Sequence, residues 1–516
     1  MKNKFIINAA IIILIALYLV PVWRFKFFPS SDGPSHVYNT QVLKCCVDSK
    51  SSYHEYFNLN LRPYPNWTSS LIMLAFQYVA SPLWAEKFFL TFYIVFFVFS
   101  FKYLLKASGN RTELYLLFSF LYLYNFLLLM GFYNYSLGVP LLLLTTGFFW
   151  KNKESLDWKR TGLLSLFLVI LYFSHPVPYI AAIIILLLIS LLYYKKRWKE
   201  IYKVLICLAP SFALCLYYFC AFRIFARQKA PSSFQNLSEV ITDMITLKFL
   251  ISVDTQRQPI LAAACGILIM LLAIITIKKK ITISNNRLSY EFNQKDYFFL
   301  IFLVTFILSI MTPDAIADHG SFIFQRVLLI ASLLVIPWLT EELGRILKSF
   351  VTVFLICLVL ANLFIIYHAF SMINTELAEF ACCKPEVGHH NTLIPLIFKR
   401  NSQSAINQVF VHAASYYCLN NFNINLANYE ADKDYFPIKF RKELQRPDVY
   451  NVFDDRNSLD FSSLAKYVKY IVVYGGNKNI MDKVKKHYFM ICHKGKIRIF
   501  HSKFLKRKKR PKLPPS

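Results

Sequence analysis

The chain is a succession of apolar blocks separated by short polar or basic connectors. The blocks are roughly 17–22 residues long, which is what crossing a hydrocarbon core of about 30 Å requires. They cover about 6–22, 68–84, 87–105, 112–130, 134–150, 161–174, 177–194, 203–222, 259–277, 297–312, 326–340 and 348–369. Beyond 370 the pattern changes. VKYIVVYGG (468–476) and KIRIFHSK (496–503) alternate as strands do, and VFVHAASYYCLNN (409–421) reads as strand passing into helix. The expected fold is mainly α. A polytopic transmembrane helical bundle over 1–370 leads into a small C-terminal α/β domain over 371–516. That domain ends in a basic tail, KFLKRKKRPKLPPS, either solvated or resting on anionic lipid. No internal repeat is visible, which weighs against inverted-repeat transporter folds.

Composition agrees with a membrane protein: 56% hydrophobic, 17% charged, mean hydropathy +0.42. The net charge of +29 raises the question of nucleic acid. The excess sits in the connectors and the C-terminal third, where the positive-inside rule and the tail account for it, so no nucleic-acid partner is expected. The same rule decides which blocks cross. If all did, KNKESLDWKR (151–160), KKRWKEIYK (195–203) and Lys278–Lys280 would face outward. If 68–84 instead lies in the outer interface, held by Trp67 and Trp84, every basic connector faces inward. About eleven crossings follow. The N-terminus is cytoplasmic, because MKNKFIINAAIIILIALYLVPVW reads as an uncleaved first span. Four features face outward: a first loop (about 23–86), a middle loop (about 223–258), a short loop (311–326) and everything after about 371. The 11 cysteines include two adjacent pairs, Cys45-Cys46 and Cys382-Cys383, and no C-x-x-C; they give no metal site and no disulfide framework.

Few ionisable residues fall on the outer face. SSDGPSH follows the first span and carries Asp32 and His36. Asp32 reads either as the N-cap of a helix running through HVYNTQVLKCC or as a general base for an acceptor hydroxyl. NLRPYPNW (60–67) sets Arg62 in an extended approach fixed by Pro63 and Pro65, either snorkelling or gripping a lipid phosphate. The short loop offers Asp314, Asp318, His319 and Arg326. The positive-inside rule gives no reason for Arg326, so a phosphate contact or a partnership with Asp32 competes with snorkelling. His175 lies in an outward turn before Pro176. YLYNFLLLMGFYNYSLG reads as packing and interface belt, with room for a sugar or prenyl chain beside it.

These parts, in this order, resemble the GT-C class of integral-membrane glycosyltransferases, and within it the aminoarabinose and protein-mannosyl transferase branches. SSDGPSH stands where those branches place Asp-Glu, and RPYPNW stands where the former has Lys-Pro-Pro before an interfacial helix. DGPSHVYN, together with HAASYYCLNNFNINLANYEADKDYFP in the tail, is also similar to uncharacterised bacterial membrane proteins of this general class. The resemblance covers about 1–370. It implies a multi-pass protein of the bacterial cytoplasmic membrane that moves a sugar from a polyprenyl-phosphate donor to a glycan, lipid or protein hydroxyl, with inversion. Asp32 would be the base, with His36 orienting it or binding the acceptor. Arg62, helped by Arg326, would hold the phosphate. Asp318, His319 and His175 would be secondary or acceptor contacts. Gly33 and Arg62 depart from the pattern, and no divalent metal is indicated.

Three other readings compete. A transporter or flippase should carry polar residues at mid-membrane, where these blocks are nearly free of charge. A polysaccharide polymerase or ligase is built around a late loop rather than the first. A scaffold without activity, its tail binding surface glycans, would tolerate a lone Asp.

Overall fold

The computed structural model describes residues 2–47, 51–110, 113–225, 234–284, 287–315, 320–433 and 435–505. Asp318, His319 and most of the basic tail lie outside these. Among the described residues, six helices are long and apolar enough to cross a membrane. They are α1 (Lys2–Arg24), α4 (Pro82–Ala107), α9 (Pro176–Tyr194), α10 (Trp198–Phe225), α12 (Gln258–Lys280) and α15 (Arg345–Ala381). Between them run α7 (Tyr133–Asn152), α8 (Trp158–Ser174), α13 (Asp296–Met311) and α14 (Ile323–Leu334). Packing runs α1–α4–α7–α8–α10, with α13, α14 and α15 closing the bundle. Some polar side chains tie these helices together inside the bundle, as lipid surroundings favour: the Tyr18 hydroxyl of α1 donates to the Val359 carbonyl of α15 at 3.0 Å.

Three apolar blocks do not form one long helix each; block 326–340 gives α14, which stops at Leu334, and then a 3-10 helix at Ile336–Trp338. Block 68–84 yields α3 (Thr68–Gln77), about 15 Å long at 1.5 Å per residue and too short to cross. It buries Ser69, Ser70 and Gln77 and exposes Leu71. The Asn134 side chain of α7 accepts from the Ser69 N–H and so caps it from outside. Block 112–130 is broken at Tyr124–Asn125 into α5 (Leu117–Leu123) and α6 (Phe126–Leu129). Asn125 starts the second piece by accepting from the Leu128 N–H, a local competition that hydropathy does not register. Between α12 and α13 a hairpin pairs β2 (Ile281–Ser284) with β3 (Arg287–Tyr290).

Past α15 the chain forms a five-stranded mixed sheet. Its order is β5 (Ile424–Asn425), β4 (Thr392–Ile397), β7 (Tyr470–Tyr474), β9 (Ile497–Ser502), β8 (Tyr488–Lys494). The strands expected at 468–476 and 496–503 are β7 and β9. The stretch 409–421 holds turns and a 3-10 helix (Ala413–Tyr417) instead of a strand, because its polar atoms serve the first loop. Helix α2 (Gly33–Val47) packs against that 3-10 helix and is buried almost all round. Gln41 bonds the Cys418 carbonyl and the Asn420 N–H, and the Tyr38 hydroxyl donates to the Asn423 carbonyl. β1 (Phe57–Leu59) of the first loop pairs antiparallel with β6 (Ile438–Phe440). The first loop and the C-terminal region therefore share one core. Cys383, at the end of α15, is disulfide-bonded to Cys492 of β8; adjacency in sequence hid this link, since each cysteine of the pair has its own surroundings.

Candidate active site

The turn carrying Asp32 is fixed by very close backbone approaches. The Ser31 and Asp32 N–H groups donate to the Leu129 and Met130 carbonyls at 3.0 and 3.1 Å. Gly131, at φ +89°, closes the other side; a Cβ there would stand 2.7 Å from the Asp32 nitrogen. A Cβ on Gly33 would stand 2.0 Å from Ser30 Oγ, 2.4 Å from the Tyr133 hydroxyl and 2.9 Å from Glu86 Oε1. Position 33 therefore has no room for a side chain. The carboxyl group beside it comes from Glu86 of α4, which accepts from the Tyr133 hydroxyl at 2.6 Å. From the C-terminal region, the Asn407 amide donates to the Pro29 and Leu129 carbonyls at 3.1 and 2.7 Å.

Asp32 occupies the N-cap position of α2, and its carbonyl accepts from the Ser35 and His36 N–H groups. Its carboxyl points elsewhere. It accepts from the Tyr429 hydroxyl, lies 3.5 Å from His412 Nε2 and is 19% exposed to a cavity. Burial raises its pKa to about 7, with Glu430 adding to the rise and His36 opposing it. His36 lies one turn on. Its Nδ1 is 3.0 Å from the Glu430 carboxylate, and the ring also donates to the Gly131 carbonyl. Two acceptors on one imidazole suit the doubly protonated ring. Burial alone would lower its pKa, but Glu430, Asp32 and that carbonyl outweigh it and hold it at about 9. His412 lies against Tyr429 at 4.3 Å. Burial, with His36 and Arg400 nearby, lowers its pKa to about 3, so this ring is neutral.

Across the cavity stands Arg326 of α14, only 6% exposed. Its guanidinium lies 4.1 Å from the Phe132 ring centre, and its Nε is buried with no acceptor among the described residues. Nη1 is 2.8 Å from His175 Nε2. His175 caps α9 by accepting the Val177 N–H on Nδ1 at 3.1 Å, and burial with Arg326 nearby holds it neutral. A neutral imidazole that accepts on Nδ1 carries its proton on Nε2. Two N–H donors thus face each other there, an arrangement that an anion accepting from both would relieve.

Asp32, His36, His175 and Arg326 line one cavity of about 340 Å³, with Tyr429, Lys433, Tyr435 and Phe436 from the C-terminal region. At Asn66, His175, Arg326 and Tyr435 it meets a second cavity of about 400 Å³. That one is walled by apolar residues of α9, α10, α13 and α14, among them Ile180, Phe219 and Val327. Arg62 lines neither. It donates from Nη1 to the Tyr64 hydroxyl at 3.3 Å, and Tyr64 packs on Tyr218, which does line the apolar cavity. Among the described residues no three His, Cys, Asp or Glu side chains are grouped to hold a metal ion.

Glu86, His412, Tyr429, Glu430 and Lys433 were not singled out in the sequence. A signal existed: His412–Pro437 is the tail stretch whose similarity accompanied that of DGPSHVYN, and the two segments meet here. The fold is similar to the crystal structure of ArnT from Cupriavidus metallidurans in the apo state. The match has a TM-score of 0.58 and covers 97% of this chain and 98% of that chain, at 8% sequence identity. The chain thus has an ArnT-like, mainly helical multi-pass membrane fold along its whole length. No family model matches it, and no curated protein matches it.

Proposed function

We propose that the chain is a GT-C-type glycosyltransferase that moves a sugar from a polyprenyl-phosphate donor to an acceptor hydroxyl on the extracytoplasmic face. The observation that carries this reading is the junction of the two cavities. A buried, anion-ready arginine stands between a polar chamber containing Asp32 and an apolar groove between helices. That sequence of environments matches a sugar, a phosphate and a prenyl chain in order. ArnT, whose fold this chain shares, is an aminoarabinose transferase of the GT-C class. The Cys383–Cys492 disulfide favours an oxidising compartment for the C-terminal region, in line with the positive-inside orientation. The donor thus approaches from the outer leaflet of the cytoplasmic membrane.

In this mechanism Arg326 and the Nε2–H of His175 hold the donor phosphate and stabilise the charge that grows as it leaves. The aromatic lining of Phe132, Tyr429 and Phe436 receives the sugar. The acceptor oxygen attacks the anomeric carbon from the side opposite the phosphate and the carbon–phosphate-oxygen bond breaks, so configuration inverts. Asp32 takes the hydroxyl proton. His36, kept cationic by Glu430, stabilises the ionised form of Asp32. Arg62, outside the cavity, serves donor entry along the tyrosine pair rather than the phosphate itself. The acceptor's identity, glycan, lipid or protein, belongs to the same proposal. The test is retention of polyprenyl phosphate by the purified protein, followed by native mass spectrometry. Arg326→Gln lowers apparent affinity at least tenfold and Arg62→Gln far less; equal retention by wild type and Arg326→Gln overturns the donor assignment.

A further inference from the structure

At a distance from this cavity, the C-terminal sheet carries a second concentration of cationic groups. Residues 461–505 hold ten Lys and Arg against one acidic residue, Asp482. Two of these, Lys496 and Arg498, lie where parallel strands β4 and β7 end together, Ile397 opposite Tyr474, and Lys399 and Arg456 join them there. β5 lies on the other side of β4, so the chain reverses its direction of strand addition between β4 and β7. In open α/β sheets the crevice at the carboxyl ends of such strands is the place where ligands bind.

The local geometry is that of an anion seat. After β7 the chain turns at Gly475, at φ +77°, where a Cβ would crowd the Lys399 nitrogen at 3.3 Å. Arg498 donates from Nη1 to the Gly475 carbonyl at 2.9 Å, and a Cβ on Gly476 would stand 3.0 Å from that same nitrogen. The Lys496 side chain beside it pushes the Lys399 ammonium below its ordinary value, with Glu376 and Glu379 nearby opposing that shift. Neither forms an ion pair among the described residues. Glu379 accepts from the Lys496 backbone N–H at 3.0 Å. Arg456 lies beside β4, bonding the Ile397 carbonyl at 2.8 Å, while its Nε is buried with no acceptor among the described residues. Two ammonium groups side by side repel each other, Glu376 and Glu379 offset that only in part, and a bound anion relieves the remainder.

We propose that Lys399, Lys496 and Arg498, around the Gly475-Gly476 turn, bind a phosphate-type group on an extracytoplasmic saccharide. The height of the site selects saccharide over phospholipid. The apolar run of α15 ends near 369. Glu379, beside Lys496, lies ten residues farther, about 15 Å along the helix, past a headgroup layer roughly 5–8 Å thick. The surrounding cations raise the local concentration of acidic ligands. Such a site would hold an acidic glycan on the C-terminal sheet without taking part in transfer.

The experiment is calorimetric titration of the detergent-purified full chain with glucose 1-phosphate. One saturable component that weakens at least tenfold in the variant Lys399→Ala/Lys496→Ala, and is unchanged in Lys485→Ala/Lys486→Ala, supports the site. The double variant, relieved of a like-charge contact, should melt no lower than wild type, which separates lost binding from lost folding. Absence of saturable binding, or equal binding by the double variant, overturns it. Repeating the titration in phosphatidylcholine nanodiscs with and without phosphatidylglycerol separates the sources. Unchanged affinity is expected; competition by phosphatidylglycerol would assign the seat to lipid headgroups and contradict the saccharide.

Discussion

His36 and Glu430 form a buried pair 394 positions apart in sequence, yet 3.0 Å apart in space. Because its folded pKa is raised, His36 contributes stability that is complete below its ordinary value of 6.5 and is lost as pH rises through about 9. Activity that needs the imidazolium beside Asp32 therefore falls through the same range. Glu430→Gln removes the main raising influence, so the alkaline limb of the pH–rate profile should move from about 9 toward neutrality; an unmoved limb would separate His36 from the reaction. Gly33 gives a second residue-scale test. Gly33→Ala must displace Ser30, Tyr133 or Glu86 and should cost about 1–3 kcal/mol, as overpacking does, read as a lower unfolding temperature. Sequence made Asp32 and Arg326 visible for different reasons. Asp32 opens a polar turn after an apolar run, and Arg326 is a cation where topology asks for none. Glu86 escaped because a single acid at the start of an apolar block looks like an interface residue. Glu430 and Tyr429 escaped because only tertiary contact gives them meaning.

At the scale of elements, periodicity and charge located the long helices and two strands. They missed the break at Asn125, which comes from one side chain rebonding to the backbone, and the burial of α2. With polar residues on every face, α2 resembles a solvated helix until the 413–430 segment supplies its partners. That dependence makes the Cys383–Cys492 link consequential, since it ties the end of α15 to the sheet carrying those partners. It closes a sequence separation of 109. Replacing Cys492 by Ser should destabilise the C-terminal region by about 2–5 kcal/mol, seen as earlier proteolysis after 381 and loss of the mobility change on reduction. Proteolysis identical to wild type, with and without reductant, would mean the link does not form.

For the whole molecule, the membrane bundle and the C-terminal region build one site between them. Asp32, His36, His175 and Arg326 come from the first 370 residues, whereas Tyr429, Glu430 and Lys433 come from beyond. A boundary near 370 is natural in composition, but α15 runs through it to Ala381, and β1–β6 pairing crosses between the parts. The overall architecture was legible because bilayer thickness and charge asymmetry constrain a sequence strongly. The shared fold with ArnT at 8% identity shows how little those constraints fix individual residues. The central claim is that Asp32 takes the acceptor's proton. Its most direct measurement is release of polyprenyl phosphate from a panel of hexose- and pentose-bearing donors by purified wild-type and Asp32→Asn protein across pH. Wild-type turnover should rise through about pH 7, the Asp32 value. Asp32→Asn, folded and expressed equally, should be slower by about 10²–10⁴-fold, the usual contribution of a general base. Full turnover by Asp32→Asn would contradict the account.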